Sequence, residues 1–249
     1  LPISSSGHLL FLKGICNITD IPLIFDIIVH VASLCAIVIF YFQRIRDTLK
    51  KGIIELSTKK KRKNNVRFMV YIIISTTVTF LIYLFFKDFI ESKYTTPSVL
   101  GYTFFITSVI LFSTIFCKDR NNKNIEDGNL LVAIVAGIFQ GLAILPGISR
   151  SGATISSLLL LRIKRKEAAY YSFFLAIPAI LGALIFKLSE LENMHFISGN
   201  LLVLIASFII CAFFSYIFLK ILLFIINKGK FWIFSVYTLI LSIVSFIIF

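Results

Sequence analysis

The chain has 249 residues, of which 58% are hydrophobic and 15% charged, and its mean hydropathy is +0.96. A soluble domain carries about a quarter charged residues and could not bury this much apolar surface. The composition therefore excludes a soluble enzyme, a disordered chain and a secreted disulfide scaffold, and it indicates an integral membrane protein. The four cysteines lie far apart without CxxC spacing and are interpreted as small core side chains.

Six windows are apolar and long enough to cross a bilayer, whose hydrocarbon core needs roughly 20 helical residues. In chain order they are residues 23–42, 66–86, 99–117, 168–187, 200–226 and 231–249. A further apolar segment, residues 130–161, is interrupted at 145–152 by the run Leu-Pro-Gly-Ile-Ser-Arg-Ser-Gly. Proline lacks a backbone N–H and glycine loosens a helix, so a continuous span through this run is not expected.

The basic residues indicate which side of the membrane each loop occupies. Nineteen of the 25 Lys and Arg residues fall on one predicted face, against four on the other, so the net charge of +13 follows topology. By the positive-inside rule the basic face is cytoplasmic. The run at residues 59–63 is also compatible with binding anionic lipid or nucleic acid, but we favour the topological interpretation and expect no nucleic-acid partner. Because residues 130–161 have basic sequence on both sides, we predict a re-entrant hairpin there.

The interrupted run has a counterpart at the N-terminus. Residues 1–7 match residues 145–152 with one gap, and apart from that gap only Ser5 against Arg150 differs. Since three spans separate the two copies, they enter the membrane from opposite faces, which is an inverted-topology repeat. We predict an all-α, polytopic fold in a single membrane domain, residues 1–249. Its first repeat is residues 1–129 and its second, with the hairpin at 130–161, is residues 130–249.

These two tips carry residue types that bind anions. Free N–H groups at a broken helix end and short hydroxyls form an anion site, and the guanidinium of Arg150 suits phosphate oxygens. An arginine inside the membrane is costly without a ligand; the alternatives are that Arg150 extends to the interface or pairs with Asp26. His8, which follows three serines, is a candidate nucleophile, general acid–base group or structural hydrogen-bonding residue. Asp26 and His30, four residues apart on one helix face, form either a cavity-lining pair or a buried structural pair.

Four stretches of the sequence match motifs of one known family. They are LPISSSGH at 1–8, FDIIVH at 25–30, PGISRSGAT at 146–154 and FFLAIP at 173–178. With these motifs the chain resembles the undecaprenyl-pyrophosphate phosphatase family, also called bacitracin-resistance proteins (UppP/BacA). The resemblance implies six transmembrane helices plus two re-entrant hairpins, the first of which is incomplete here.

The resemblance also implies an activity. The family hydrolyses undecaprenyl diphosphate to undecaprenyl phosphate and inorganic phosphate, which recycles the lipid carrier of cell-wall (peptidoglycan) synthesis and confers bacitracin resistance. Its site opens to the outer face of the bacterial plasma membrane and uses a divalent cation, Mg²⁺ or Ca²⁺. The implied partners are a polyprenyl diphosphate lipid and membrane lipid, and a homodimer is a further candidate.

The family's residue roles transfer to this chain through its motifs. Arg150 is implied to bind the diphosphate, and His8 and Ser5 are candidates for the phosphoryl-transfer step. The remaining residues expected to bind the diphosphate are Ser4, Ser6, Gly7, Ser149, Ser151, Gly152 and Thr154. The family's glutamates precede the first motif, upstream of Leu1, so we expect no metal ligand in this chain. We interpret the chain as a fragment of an active enzyme, with a natural, inactive truncation as the alternative.

Two other classes of protein share parts of this pattern. An inverted repeat with broken helices is also the plan of secondary transporters, so a lipid-carrier flippase or a phosphate transporter without hydrolysis is the main alternative. A polytopic scaffold is a third interpretation, but it leaves the polar residues of the tips unexplained.

Overall fold

The computed structural model describes residues 1–16, 23–58, 63–93, 96–117, 123–188 and 201–249. Within these residues the structure is helical and contains no strand, apart from one isolated bridge between Lys123 and Ile163. The described α-helices are α1 (Ser5–Cys16), α2 (Leu23–Ser57), α3 (Asn64–Lys93), α4 (Leu100–Phe112), α5 (Leu130–Leu142), α6 (Arg150–Leu160), α7 (Arg165–Leu188), α8 (Leu201–Asn227) and α9 (Ile233–Ile248). Short 3₁₀ turns lie at Pro97–Val99, Ser113–Phe116 and Ile125–Asp127. The predicted all-α fold class is confirmed.

Helix α2 is longer than the span predicted at residues 23–42, since it continues to Ser57. Its 35 residues correspond to about 52 Å, well beyond the hydrocarbon core of about 30 Å. The charged residues that begin at Arg44 end the apolar window but not the helix, because Arg, Lys and Glu are good helix formers. The end of an apolar window therefore indicates where the membrane ends and says little about where the helix ends.

Five described helical stretches are apolar and long enough to cross a membrane, which makes the chain a multi-pass membrane protein. They are Ile27–Ser57, Asn64–Lys87, Pro97–Phe116, Arg165–Ile185 and Leu201–Asn227. The sixth predicted span, residues 231–249, contains the shorter apolar helix α9, whose 16 residues extend about 24 Å. Helix α9 packs along α4, and the large apolar side chains that α8 leaves exposed are suited to lipid.

The segment at residues 130–161 forms a hairpin of two short helices. Helix α5 has 13 residues and α6 has 11, about 20 Å and 17 Å, so neither alone crosses the hydrocarbon core. Between them, Gly147 adopts a φ of +94°, which L-residues rarely adopt. The interruption that the sequence predicts at residues 145–152 is therefore present.

Helices α3, α5 and α7 pack closely through small and polar residues. A Cβ on Gly137 of α5 would lie 2.7 Å from the carbonyl oxygen of Ser75 on α3. The Ser75 hydroxyl donates to the carbonyl oxygen of Ala133 (2.7 Å) and hydrogen-bonds the hydroxyl of buried Tyr171 on α7 (2.7 Å). Small residues that let backbones approach, with hydroxyls bonded across helices, are typical of helix packing in membranes. This packing fixes the hairpin against two long helices.

Replacing Gly147 with alanine is expected to destabilise the protein by about 2 kcal/mol or more. The backbone there is left-handed, and an added Cβ would lie 2.0 Å from the hydroxyl oxygen of Thr103. The melting temperature in detergent micelles measures the effect. Gly182→Ala is the matched control, because a Cβ on Gly182 would meet no atom within 4 Å. Equal melting temperatures for the two variants would contradict the geometry of the turn.

Candidate active site

Helices α1 and α6 begin with the same N-terminal cap. The Ser4 hydroxyl accepts a hydrogen bond from the N–H of Gly7 (3.3 Å), and the Ser149 hydroxyl accepts one from the N–H of Gly152 (3.1 Å). In both cases a serine immediately before the helix bonds to an N–H three residues later, which is how an N-cap stabilises a helix. Ser4 and Ser149 are the serines that the sequence repeat aligns, so the repeated motif makes the same capping hydrogen bond. The backbone differs, because Ser4 has a left-handed φ of +62° whereas Ser149 is extended, with a φ of −77°.

The two tips are in direct contact. The Ser4 hydroxyl also accepts a hydrogen bond from the N–H of Gly147 (3.1 Å). A Cβ on Gly7 would lie only 2.7 Å from the Cα of Gly147, so this approach requires glycine. Thr107 of α4 supports the contact, since its hydroxyl donates to the Gly147 carbonyl (2.7 Å) and accepts from the Ser149 N–H (3.2 Å). The N-termini of α1 and α6 therefore lie on opposite sides of one contact.

The first backbone donors of both helices remain available to a ligand. In the part of the chain that the structure describes, no partner is present for the N–H groups of Ser5 and Ser6 in α1, or for those of Arg150 and Ser151 in α6. The side chains of Ser5 and Ser6 are exposed, and those of Arg150 and Ser151 are half-buried. Each helix N-terminus carries roughly half a positive charge. Two such termini in contact are suited to a multiply charged anion.

Arg150 adds a full positive charge at the start of α6. Its Nη1 donates to the Ala176 carbonyl oxygen of α7 (3.4 Å), which leaves the rest of the guanidinium fork for a ligand. No carboxylate among the described residues forms an ion pair with Arg150. The predicted alternative, a pair with Asp26, and the predicted pair of Asp26 with His30 lie outside the described residues, because the Asp26 side chain is not described.

The residues expected to bind diphosphate fall into two groups in the structure. Ser6, Arg150 and Ser151 have polar groups available at the tips, although the Ser6 hydroxyl also hydrogen-bonds the Ser4 hydroxyl (3.4 Å) and its available donor is the backbone N–H. Ser5, the phosphoryl-transfer candidate, is exposed beside them. The polar groups of the others already bond to the protein, because capping and helix packing use them; these residues are Ser4, Gly7, Ser149, Gly152 and Thr154. The hydroxyl of Thr154, for example, is fully buried and bonds to the Arg150 carbonyl (2.8 Å) and to the hydroxyl of Ser172 on α7 (2.5 Å). A direct role for this second group stays a prediction.

His8 is held at both ring nitrogens. Its Nδ1 lies 2.8 Å from the Ser4 carbonyl oxygen, and its Nε2 lies 2.7 Å from the hydroxyl of Tyr237 on α9. A carbonyl oxygen can only accept a hydrogen bond, so Nδ1 carries a proton. The neutral ring therefore presents the lone pair of Nε2 to Tyr237.

Three residues next to the tips were not predicted from the sequence: Thr103, Thr107 and Tyr237. The two threonines lie one helical turn apart in an apolar span, and polar residues in such a position can indicate a functional or packing role. Tyr237 is one of 9 tyrosines and 27 phenylalanines, and nothing local distinguishes it from an ordinary aromatic residue of a span. Its role depends on a contact between helices 229 residues apart in sequence.

Comparison with known proteins identifies the family. Residues 1–244 match the family described as "Bacitracin resistance protein BacA". The chain belongs to this family. A protein of Carboxydothermus hydrogenoformans named "Undecaprenyl-diphosphatase" is 39% identical over 247 residues, which cover 98% of this chain and 89% of the relative. A protein of Treponema denticola with the same name is 36% identical and covers 95% and 87% of the two chains. One of Methanosphaera stadtmanae is 33% identical and covers 100% and 92%.

The described residues of this BacA family member do not form a site for a divalent cation. Among them, no group of three or more His, Cys, Asp and Glu side chains is arranged to hold a metal. At the tips, the N–H groups and the guanidinium are donors, which suit an anion, whereas Mg²⁺ and Ca²⁺ require several oxygen ligands and prefer carboxylates. The donors of the tips are therefore suited to phosphate oxygens and not to a cation.

A separate polar cavity lies between the C-terminal part of α2 and the start of α7. It has a volume of about 370 Å³, and neither tip lines it. Arg44 on α2 and Glu167 on α7 form an ion pair across it (2.5 Å). Burial raises the pKa of the nearby Glu126 carboxyl, and the neighbouring carboxylate of Glu167 raises it further. No motif of the family falls in this cavity, so it is distinct from the candidate active site.

Proposed function

We propose that the chain hydrolyses undecaprenyl diphosphate to undecaprenyl phosphate and inorganic phosphate, and that the two tips form its active site. Membership of the BacA family and the names of its relatives, which are called undecaprenyl-diphosphatases, support the reaction. The observation that carries the assignment of the site is the hydrogen bond from the N–H of Gly147 to the hydroxyl of Ser4, because it joins two helix N-termini at one point.

The tips act on the diphosphate through electrostatics. Phosphoryl transfer requires a fixed arrangement of positive charge around oxygens that become more negative in the transition state. The free N–H groups of α1 and α6, with the guanidinium of Arg150, bind those oxygens. A single preorganised donor of this kind contributes about 10²- to 10³-fold to the rate. Several such donors supply a large part of the catalysis without covalent chemistry.

The hydrogen bonds of His8 favour an acid–base or positioning role over direct attack on phosphorus. Its Nδ1 bonds to a carbonyl and its Nε2 to Tyr237, so neither nitrogen can act as a nucleophile without breaking a hydrogen bond. Ser5, by contrast, is the first residue of α1 and its side chain is exposed. Ser5 or a water molecule is therefore the preferred attacking group. His8 can receive its proton at Nε2 once the Tyr237 O–H turns away from that lone pair, after which the new N–H donates to the Tyr237 oxygen.

A requirement for Mg²⁺ or Ca²⁺ is proposed from the family resemblance alone. Because the described residues do not form a cation site, no step of the mechanism is derived through one.

The remaining proposals concern the substrate's lipid tail, the orientation of the protein in the membrane and its oligomeric state. The lipid tail of the substrate lies among the membrane helices, and the basic loops face the cytoplasm, which the excess of Lys and Arg on one predicted face supports. We propose the plasma membrane as the location and its outer face as the side to which the site opens. A homodimer stays a prediction.

Release of inorganic phosphate from a polyprenyl diphosphate by the purified protein in detergent tests the proposed reaction. A flippase or phosphate transporter does not break the phosphoanhydride bond, so it releases no phosphate from the lipid in detergent. We expect multiple turnovers with added Mg²⁺ or Ca²⁺. A protein that is folded, binds the lipid and releases no phosphate under any of these conditions would support the transporter alternative instead.

A further inference from the structure

Tyr237 of α9 forms a specific contact with the first tip. Its hydroxyl oxygen lies 2.7 Å from Nε2 of His8, and the two rings are parallel within 3°, with centroids 5.7 Å apart. Phe104 of α4 lies edge-on to the same imidazole, also at 5.7 Å. The His8 ring therefore contacts two aromatic rings and is hydrogen-bonded at both nitrogens.

The hydroxyl can maintain this contact in both protonation states of the imidazole. While Nε2 is unprotonated, the Tyr237 O–H donates to its lone pair. After Nε2 gains a proton, the resulting N–H donates to the tyrosine oxygen. The Ser4 carbonyl oxygen keeps the proton on Nδ1 throughout. Tyr237 and Ser4 together fix both the tautomer and the orientation of the ring.

The position of Tyr237 is set by the pairing of α9 with α4. The Ser108 hydroxyl of α4 donates to the Ser235 carbonyl (2.9 Å), and the Ser242 hydroxyl of α9 donates to the Gly101 carbonyl (2.7 Å). Helix α4 also carries Thr107, which bonds to the second tip. The α4–α9 pair therefore contacts His8 on one tip and the loop before α6 on the other.

We infer that Tyr237 is a positioning residue of the active site, which acts by orienting Nε2 of His8. This inference rests on the proposed function of the tips. Tyr237 acts through His8 and is assigned no contact with the substrate.

Tyr237→Phe is the decisive variant, because it keeps the stacked ring and removes the hydroxyl. Tyr102→Phe is the matched control: Tyr102 lies exposed on α4, edge-on to Phe246, and its hydroxyl has no partner in the described structure. We expect Tyr237→Phe to lower kcat for phosphate release about 10-fold or more, because acid–base groups contribute about 10²- to 10⁴-fold. KM and the melting temperature should stay unchanged, and Tyr102→Phe should behave as the parent protein.

A second measurement is independent of activity. The chain has 3 histidines, so the imidazole ¹⁵N resonances of the full protein in micelles are few, and His8→Gln identifies those of His8. We expect Nδ1 to be protonated, and the Nε2 resonance to move in Tyr237→Phe and not in Tyr102→Phe.

The two measurements separate failure of the inference from failure of the proposed function. Three results for Tyr237→Phe would each overturn the positioning role. They are an unchanged Nε2 resonance, an unchanged kcat, and a lowered kcat together with a lowered melting temperature, which would indicate loss of folded protein. If Tyr237→Phe moves the Nε2 resonance but the parent protein releases no phosphate, the contact is supported and the proposed reaction is contradicted.

Discussion

Replacing Arg150 with alanine is expected to lower the rate of phosphate release from a polyprenyl diphosphate by about 10³-fold. Arg150 is the one described residue at the tips with a full positive charge, and no described carboxylate neutralises it. Its planar fork can bind two phosphate oxygens at once, which a hydroxyl or a single N–H cannot do. Steady-state phosphate release at saturating and limiting substrate measures the loss.

Two further arginine variants make this result specific. Arg150→Lys keeps the charge but loses the fork, so we expect partial activity between the parent protein and the alanine variant. Arg46→Ala removes an exposed arginine of α2 that pairs loosely with Asp47 (3.6 Å), and it should leave the rate unchanged. Near-normal turnover by Arg150→Ala would contradict the proposal that Arg150 binds the diphosphate.

Gly7→Ala is expected to reduce activity about 10²-fold by separating the tips. The added methyl group would lie 2.7 Å from the Cα and 2.9 Å from the N of Gly147. Both atoms are backbone, so the collision cannot be relieved by rotating a flexible side chain. The tips must move apart, which weakens the Ser4–Gly147 hydrogen bond and displaces one set of donors from the other.

The activity of Gly7→Ala has to be compared with its stability. Overpacking of this kind costs about 1–3 kcal/mol, so a modest fall in melting temperature is expected as well. Gly182→Ala, where the new methyl group meets no atom within 4 Å, should keep both activity and stability. If Gly7→Ala hydrolyses substrate at the parent rate, the close approach of the two tips is not required for the reaction.

The sequence was sufficient to predict the architecture because membrane segments are strongly constrained. Each span needs a long apolar window, and the run at 145–152 contains a proline and two glycines that interrupt one. The aligned serines, Ser4 and Ser149, each accept a hydrogen bond from the N–H three residues later, which is what a short hydroxyl immediately before a helix is expected to do. These features depend on residues that are neighbours in the chain.

The parts that were not predicted depend on contacts between distant residues. Tyr237 reaches His8, and Thr107 reaches Gly147, only because α4 and α9 pack against the tips. The sequence also could not predict which polar groups of the tips bond within the protein and which stay available, since it does not show that Thr154 bonds to Ser172. The end of α2 was missed for a different reason, because charge ends an apolar window and leaves helix propensity intact.

The most direct test is an experimental structure of the protein with a methylene-bridged polyprenyl diphosphate analogue, which cannot be hydrolysed. We expect phosphate oxygens to lie within hydrogen-bond distance of the Arg150 guanidinium and of N–H groups from both α1 and α6. Two results would contradict this expectation: density for the diphosphate group in the cavity beside Arg44, or a diphosphate group bound to one tip and beyond hydrogen-bond distance of the other tip.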